Sequence, residues 1–296
     1  NPADKSICAA SNTTFGIVAT GDNLSYQWQV DAGSGYTAAS GGVYSNETST
    51  TLTITSAPSS MDGYKYRCVV SNPSCPDDIS GEATLSVAVG PTVTTNPIDA
   101  EICEGGDTSF TIAASGSSLV YQWQVDQGSG YSDVSGAVYS GINSVKLVLT
   151  NVPASFDGYK YKCLVGNAAC TDLETNEATL TVIEAPNVTT NPSNTTVCET
   201  GNTNLSIVSD GDNLTYQWQV NQGSGISDVS GAVYSGDNSA TLSITGATTG
   251  MDGYKYRCVV DNATCTADIS GEATLTVQET PSVTSNPTSA SICEST

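Results

Sequence analysis

Apolar residues recur in short alternating runs, and turn-forming residues break the runs at regular intervals. In "TFGIVAT" (Thr14–Thr20) Phe15 and Ile17 fall on one face, and in "TTLTIT" (Thr50–Thr55) Leu52 and Ile54 do the same. "LSYQWQV" (Leu24–Val30) carries Trp28, "YKYRCVV" starts at Tyr64, and "EATLSV" covers Glu82–Val87. Between the runs lie "GDN" (Gly21–Asn23) and "DAGSG" (Asp31–Gly35), stretches rich in residues that reverse the chain. A period of two puts one face of each strand against a core and leaves the other in water. Short strands at this spacing predict an all-β chain built from antiparallel sandwiches. Good helix formers are too scattered to compete.

The pattern repeats. Cys8, Cys103, Cys198 and Cys293 are 95 residues apart, and so are Trp28, Trp123 and Trp218. Cys68, Cys163 and Cys258 keep the same spacing, as do Cys75, Cys170 and Cys265. Asn1-Pro2 returns as Asn96-Pro97, Asn191-Pro192 and Asn286-Pro287. The expected organisation is repeat 1 at 1–90, repeat 2 at 91–185, repeat 3 at 186–280, and the opening strand of a fourth at 281–296. A chain that starts and stops inside its own repeat reads as a window cut from a longer array. Its start, "NPADKSIC", reads as a mature or excised end. The first copy lacks the upstream segment that later copies carry ("GPTVTT", "APNVTT", "TPSVTS"), while the C-terminal end carries a spare one. Strand addition to the next molecule is one use for it.

Each copy contains "DGYKYRC" or a near-identical stretch, at Asp62–Cys68, Asp157–Cys163 and Asp252–Cys258. With Trp28 on the third strand, the D-x-x-x-Y-x-C pattern resembles the immunoglobulin fold. There a core Trp packs in the sandwich, and a Tyr two residues before the second Cys bonds back to backbone at a corner. The resemblance gives those structural roles to Trp28 and Tyr66, to Trp123 and Tyr161, and to Trp218 and Tyr256. The wider string "YQWQV … GVYSG … LTIT … GYKYRCVV … C … EATLTV" resembles the Ig-like tandem repeats of large secreted or cell-surface proteins of Bacteroidetes-type bacteria. Those are type IX secretion-associated adhesin or fibre proteins, which implies an extracellular or cell-surface setting.

The cysteines depart from the antibody pattern. Ile17, Ile112 and Ile207 stand where the partner of the second Cys is expected. Three cysteines per copy is odd, so they do not all pair within one repeat. Bridged Cα atoms must approach within about 7 Å. Three schemes stay open. Cys8–Cys170 and Cys103–Cys265 would cross-link neighbouring repeats and leave Cys68, Cys163 and Cys258 as core thiols. Cys8–Cys68 would close one repeat. Cys68–Cys75 would close a hairpin. Cys198 and Cys293 continue the first series.

Composition narrows the function. Thirty acidic residues face eight basic ones, a net charge of −22, which speaks against nucleic acid. No run of 18 apolar residues exists, so membrane insertion is not expected. Ten cysteines suit an oxidising compartment, and without histidine or CxxC they do not read as zinc sites. Without His there is no His-based catalytic dyad or triad. "GSGYS" lacks the Lys and helix of a phosphate loop and reads as a hairpin. The acidic residues form no repeated D-x-D cluster that would hold calcium. Sequons such as Asn204-Leu-Ser and Asn262-Ala-Thr are expected by chance in a chain so rich in Asn and Thr.

The expected protein is non-enzymatic and takes no cofactor. It is a structural segment of an extracellular filament or long surface adhesin, giving reach and stiffness, with further copies of the repeat and lateral self-association as partners. The competing class is a carbohydrate- or protein-binding module that uses loops at one pole, because "SNPSCPDDISG", "GNAACTDLETN" and "DNATCTADISG" vary between copies.

Overall fold

A computed structural model describes residues 1–291. They divide into two compact units. One comprises Asn1–Ala100, Asp107–Val152 and Phe156–Thr181; the other comprises Glu101–Gly106, Pro153–Ser155 and the chain from Val182 onward. The strand-rich sandwiches recur in tandem, and the first copy shows their construction. Its strands are β1 (Lys5–Cys8), β2 (Thr13–Gly16), β3 (Ser25–Asp31), β4 (Tyr36–Ala38), β5 (Tyr44–Ser45), β6 (Thr51–Ile54), β7 (Lys65–Asn72), β8 (Cys75–Ile79) and β9 (Ala83–Ala88). One sheet has the order β1-β9-β7-β3-β4 with β8 added to β7; the facing sheet is β2-β6-β5. β1 joins β9 in parallel, and the longest ladder runs antiparallel between β3 and β7, with Trp28 opposite Cys68.

Alternation sets which side chains meet. Trp28, Tyr66 and Cys68 from one sheet, and Phe15, Leu52 and Ile54 from the other, are fully buried. The Tyr66 and Phe15 rings stack with centroids 4.7 Å apart. The Trp28 indole N–H donates to the Ser49 carbonyl at 2.9 Å, so the largest core residue leaves no orphan donor. Trp123 and Trp218 do the same with the carbonyls of Ser144 and Ser239.

The "DGYKYRC" stretch follows a 3₁₀ turn at Ser59–Met61. Gly63 takes φ +82°, a left-handed value open to glycine, and donates its N–H to the Leu85 carbonyl. The Asp62 carboxylate accepts the Val87 N–H at 2.8 Å, which pins the turn to β9. Asp252 holds Val277 in the same way at 2.9 Å. The corner tyrosine departs from the expected backbone bond. The Tyr66 hydroxyl meets that of Tyr44 at 3.3 Å, and Tyr161 and Tyr256 meet Tyr139 and Tyr234 at 3.1 and 3.0 Å. A second tyrosine on the facing sheet reaches the buried oxygen first.

The run "TFGIVAT" was expected to be one strand, and it is not. In the later copies it changes sheet. Thr108–Thr111 pairs with Lys146–Leu149, and Ala113–Ser115 then pairs with Thr92–Thr95 from the segment before the repeat. Thr203–Ser206 and Val208–Asp210 divide in the same way, the latter pairing with Asn187–Thr190. In the first copy β2 ends at Gly16. Ile112 and Ile207 are buried, whereas Ile17 packs only partly against its core.

Candidate functional site at the repeat junctions

The segments leading into the second and third copies are sheet strands rather than free tethers. In the first unit, Thr92, Val93 and Thr95 pair antiparallel with Ser115, Ala114 and Ala113. The Ser117 N–H donates to the Val89 carbonyl at 3.0 Å, and the Val89 N–H donates to the Ser117 hydroxyl at 2.9 Å. Beside this ladder Cys8 and Cys170 form a disulfide with Cα atoms 4.9 Å apart, well inside the bridging range. Cys8 ends β1 of one copy, and Cys170 opens a strand of the next. Gly90 passes directly beside both sulfurs: a Cβ there would lie 3.6 Å from that of Cys8 and 3.7 Å from that of Cys170.

Asn167 organises the turn that presents Cys170. Its side-chain oxygen accepts the N–H groups of Ala169 and Cys170 at 3.1 and 2.9 Å. Its amide nitrogen donates to the carbonyls of Val89 and Ser117 at 3.0 and 3.1 Å. A nearly buried amide with every group satisfied fixes the loop and ties it across the junction.

The second unit repeats the arrangement with changed details. Cys103 and Cys265 are bonded, with Cα atoms 5.1 Å apart. Asn262 accepts from Cys265 at 2.9 Å and donates to the Glu184 carbonyl at 2.9 Å. Asp212 replaces Ser117 and accepts the Glu184 N–H at 2.9 Å. Asp268 accepts the Val188 N–H at 2.7 Å, and the Thr264 hydroxyl donates to Glu101 at 2.8 Å. Two bridges with identical spans of 162 residues therefore interlace along the chain.

The remaining sulfurs divide into two groups. Cys68, Cys163 and Cys258 are buried free thiols opposite the tryptophans, whereas Cys75 and Cys198 are exposed and free. Burial pushes Cys163 and Cys258 up to about 11 and raises Cys68 as well, so all three stay protonated and inert at neutral pH. Neither the Cys8–Cys68 nor the Cys68–Cys75 scheme is present, because β7 turns Cys68 into the core. Cys293 lies outside the described residues. Trp28, Trp123, Trp218, Tyr66, Tyr161 and Tyr256 are core residues with no measurable exposure. Among the described residues no three His, Cys, Asp or Glu side chains converge to hold a metal ion. No helix among them is long and apolar enough to cross a membrane.

Sequence reasoning missed the asparagines. The signal was present as N-x-x-C, at Asn72–Cys75, Asn167–Cys170 and Asn262–Cys265, unchanged inside a loop that otherwise varies. Asn262 was instead counted among the sequons. It is 6% exposed, and both its amide nitrogen and its amide oxygen are bonded, so a glycan there would dismantle the junction.

No protein-family model matches the chain. Among solved structures, an I-band fragment of titin has a TM-score of 0.70 at 18% identity, covering 94% of this chain and 96% of that one. The eight N-terminal Ig domains of Down Syndrome Cell Adhesion Molecule give 0.58 at 18% identity, over 93% of this chain and 36% of theirs. The fold is that of tandem immunoglobulin-like sandwiches. Sidekick-1 immunoglobulin domains 1–5 give a TM-score of 0.51 at 21% identity, over 94% of this chain and 58% of that one. Among curated proteins, Endoglucanase C of Cellulomonas fimi is 33% identical over 184 residues, 61% of this chain and 16% of that protein. The chain thus spans less than a fifth of that relative's length.

Proposed function

We propose that the chain is a mechanical segment of a long extracellular or cell-surface protein. It supplies reach and resistance to tension rather than chemistry, and its repeats run 1–90, 91–185 and 186–280, with 281–296 opening another. The observation that carries this reading is the interlaced pair of disulfides. Each bridge joins one repeat to the next, across a linker that is itself a strand of the following sandwich. Cross-links of this kind do little for a binding loop and much for a chain that is pulled. The likeness to bacterial surface-adhesin repeats, the acidic charge and the cysteine content support the same setting. The part-length likeness to Endoglucanase C fits a non-catalytic module within a larger protein.

Pulling single molecules from both ends tests the reading. With both bridges intact, the taut path from Cys8 to Cys265 crosses to Cys170, runs back to Cys103 and crosses again, holding 67 residues (170 − 103) instead of 257 (265 − 8). Adding a reductant should therefore lengthen the fully unfolded chain by 190 residues (257 − 67), roughly 650 Å at about 3.4 Å per residue. An unchanged length would contradict the reading.

A second reading, a glycan-binding module, draws on the Endoglucanase C likeness. Against it, the most variable loop is occupied at Asn167–Cys170 and Asn262–Cys265 by junction bonds. Saturable binding to a cellulose or glycan array would favour it.

A further inference from the structure

The core thiols of the second and third copies each lie close in sequence to a bridged cysteine and are kept from it by the fold. Cys163 stands on the strand Lys160–Asn167, and Cys170 opens the strand that returns beside it, Cys170–Glu174. In that hairpin Cys170 pairs with Asn167, four residues beyond Cys163 (167 − 163). At roughly 3.3 Å per residue the gap is about 13 Å, well past the 7 Å or so that a bridge spans. The position opposite Cys163 belongs to Thr175. Its hydroxyl accepts the Cys163 N–H and its N–H donates to the Cys163 carbonyl, both at 3.0 Å. Ser270 holds Cys258 in the same way, at 2.8 and 2.9 Å. Both thiols are 0% exposed, opposite Trp123 and Trp218.

Opening the repeat reverses the preference. In an unfolded chain the entropic cost of closing a loop grows with its length. Cys163 and Cys170 close a loop of 7 residues (170 − 163), and so do Cys258 and Cys265 (265 − 258), whereas each native bridge closes 162. The three-halves power of that ratio favours the short pair roughly a hundredfold. The hairpin pairing that the sequence allows and the fold forbids is therefore the one an unfolded repeat prefers.

We propose that Cys163 and Cys258 are folding-gated exchange partners of the junction disulfides, forming a reversible switch. While a repeat is folded its thiol is sealed in the core and the bridge to the preceding repeat holds. When the repeat opens, the thiol takes over the bridged cysteine seven residues downstream and the junction is released. The step needs no oxidant or reductant. The Cys163 thiolate attacks the Cys170 sulfur, the Cys163–Cys170 bond forms, and the Cys8–Cys170 bond breaks. Cys8 leaves as a thiolate and takes up the proton that Cys163 gave to water. Cys258 does the same at Cys265 and releases Cys103. Refolding drives the exchange backwards, because the folded hairpin holds Cys163 opposite Thr175 and out of reach of Cys170. The inference rests on the positions of the sulfurs and does not depend on the mechanical reading.

The test uses the full chain, with the thiols reachable in the native protein, Cys75 and Cys198 among them, first blocked by alkylation. The protein is held without reductant at about pH 8.5, the ordinary value for an unfolded thiol, in buffer and in concentrated urea. Samples are quenched in acid and their cross-linked peptides mapped. In buffer Cys8–Cys170 and Cys103–Cys265 should persist. In urea Cys163–Cys170 and Cys258–Cys265 should replace them, with Cys8 and Cys103 as free thiols and the short pairs in roughly hundredfold excess. Diluting out the urea should restore the native pairs. Cys163→Ser should lose Cys8–Cys170 in urea at least about tenfold more slowly while Cys258–Cys265 still forms, and Cys258→Ser should give the mirror result. The wild-type map decides the matter even where a variant fails to fold. Native bridges that persist in urea, exchange as fast in buffer as in urea, or hairpin bonds that survive refolding would each overturn the proposal.

Discussion

At the scale of single residues, the chain spends its few large side chains on the sandwich cores and its polar ones on the joints between them. Trp28, Tyr66 and Phe15 were legible as core residues because each sits in a period-two run whose other face is polar, with Gln beside Trp28, Lys and Arg beside Tyr66, and Thr beside Phe15. The role of Asn167 and Asn262 was not legible. An Asn between two strands ordinarily serves only its own turn, and nothing local shows that its amide crosses to another repeat. The hydroxyl partner of Tyr66 was misjudged for a related reason, since Tyr44 lies on the facing sheet and only the folded core brings the rings to a centroid distance of 6.2 Å. The buried thiols give a pH prediction. The ordinary value is 9.0, and burial raises Cys163 and Cys258 to about 11. A raised value in the folded state means their contribution is complete below pH 9 and fades as the pH climbs toward 11, by up to about 2 kcal/mol per thiol. Urea unfolding across that window should show the loss, with a shallower slope for the Cys163→Ala, Cys258→Ala double variant. An equal slope would assign the pH dependence to other groups.

At the scale of elements, the strand that changes sheet makes each junction. Alternation found the run but not its division. Both halves alternate, and the choice of partner depends on a segment some 20 residues upstream in sequence. The division is marked by glycines just beyond it. Gly211 takes φ +122°, and a Cβ there would come within 2.7 Å of the Ala185 carbonyl oxygen and 3.1 Å of the Pro186 Cα. Gly21, the first copy's counterpart, takes φ +147° and would meet only the Leu24 side chain. Gly211→Ala should therefore cost roughly 1–3 kcal/mol from backbone strain and contact with the linker. Gly21→Ala bears the strain alone and should cost less. Urea midpoints of the two variants would show the difference, and equal losses would mean the linker strand does not sit as described.

At the scale of the molecule, the 95-residue period was the strongest signal in the sequence, and the tandem sandwich class followed from it. The pairing of the cysteines did not follow, because spacing alone allowed three schemes and only the fold brings Cys8 to Cys170 and Cys103 to Cys265. The interlacing of those bridges has a mechanical consequence. Between Cys8 and Cys265 every stretch of backbone is bypassed by at least one disulfide, so no single peptide-bond break separates the two ends. Such redundancy suits a protein exposed to proteases and tension outside the cell, and it needs no binding partner to act. Limited proteolysis tests it directly. After one nick anywhere between Cys8 and Cys265, the account predicts a single band of full mass without reductant and two fragments with it. Separation of the fragments before any reductant is added would contradict it.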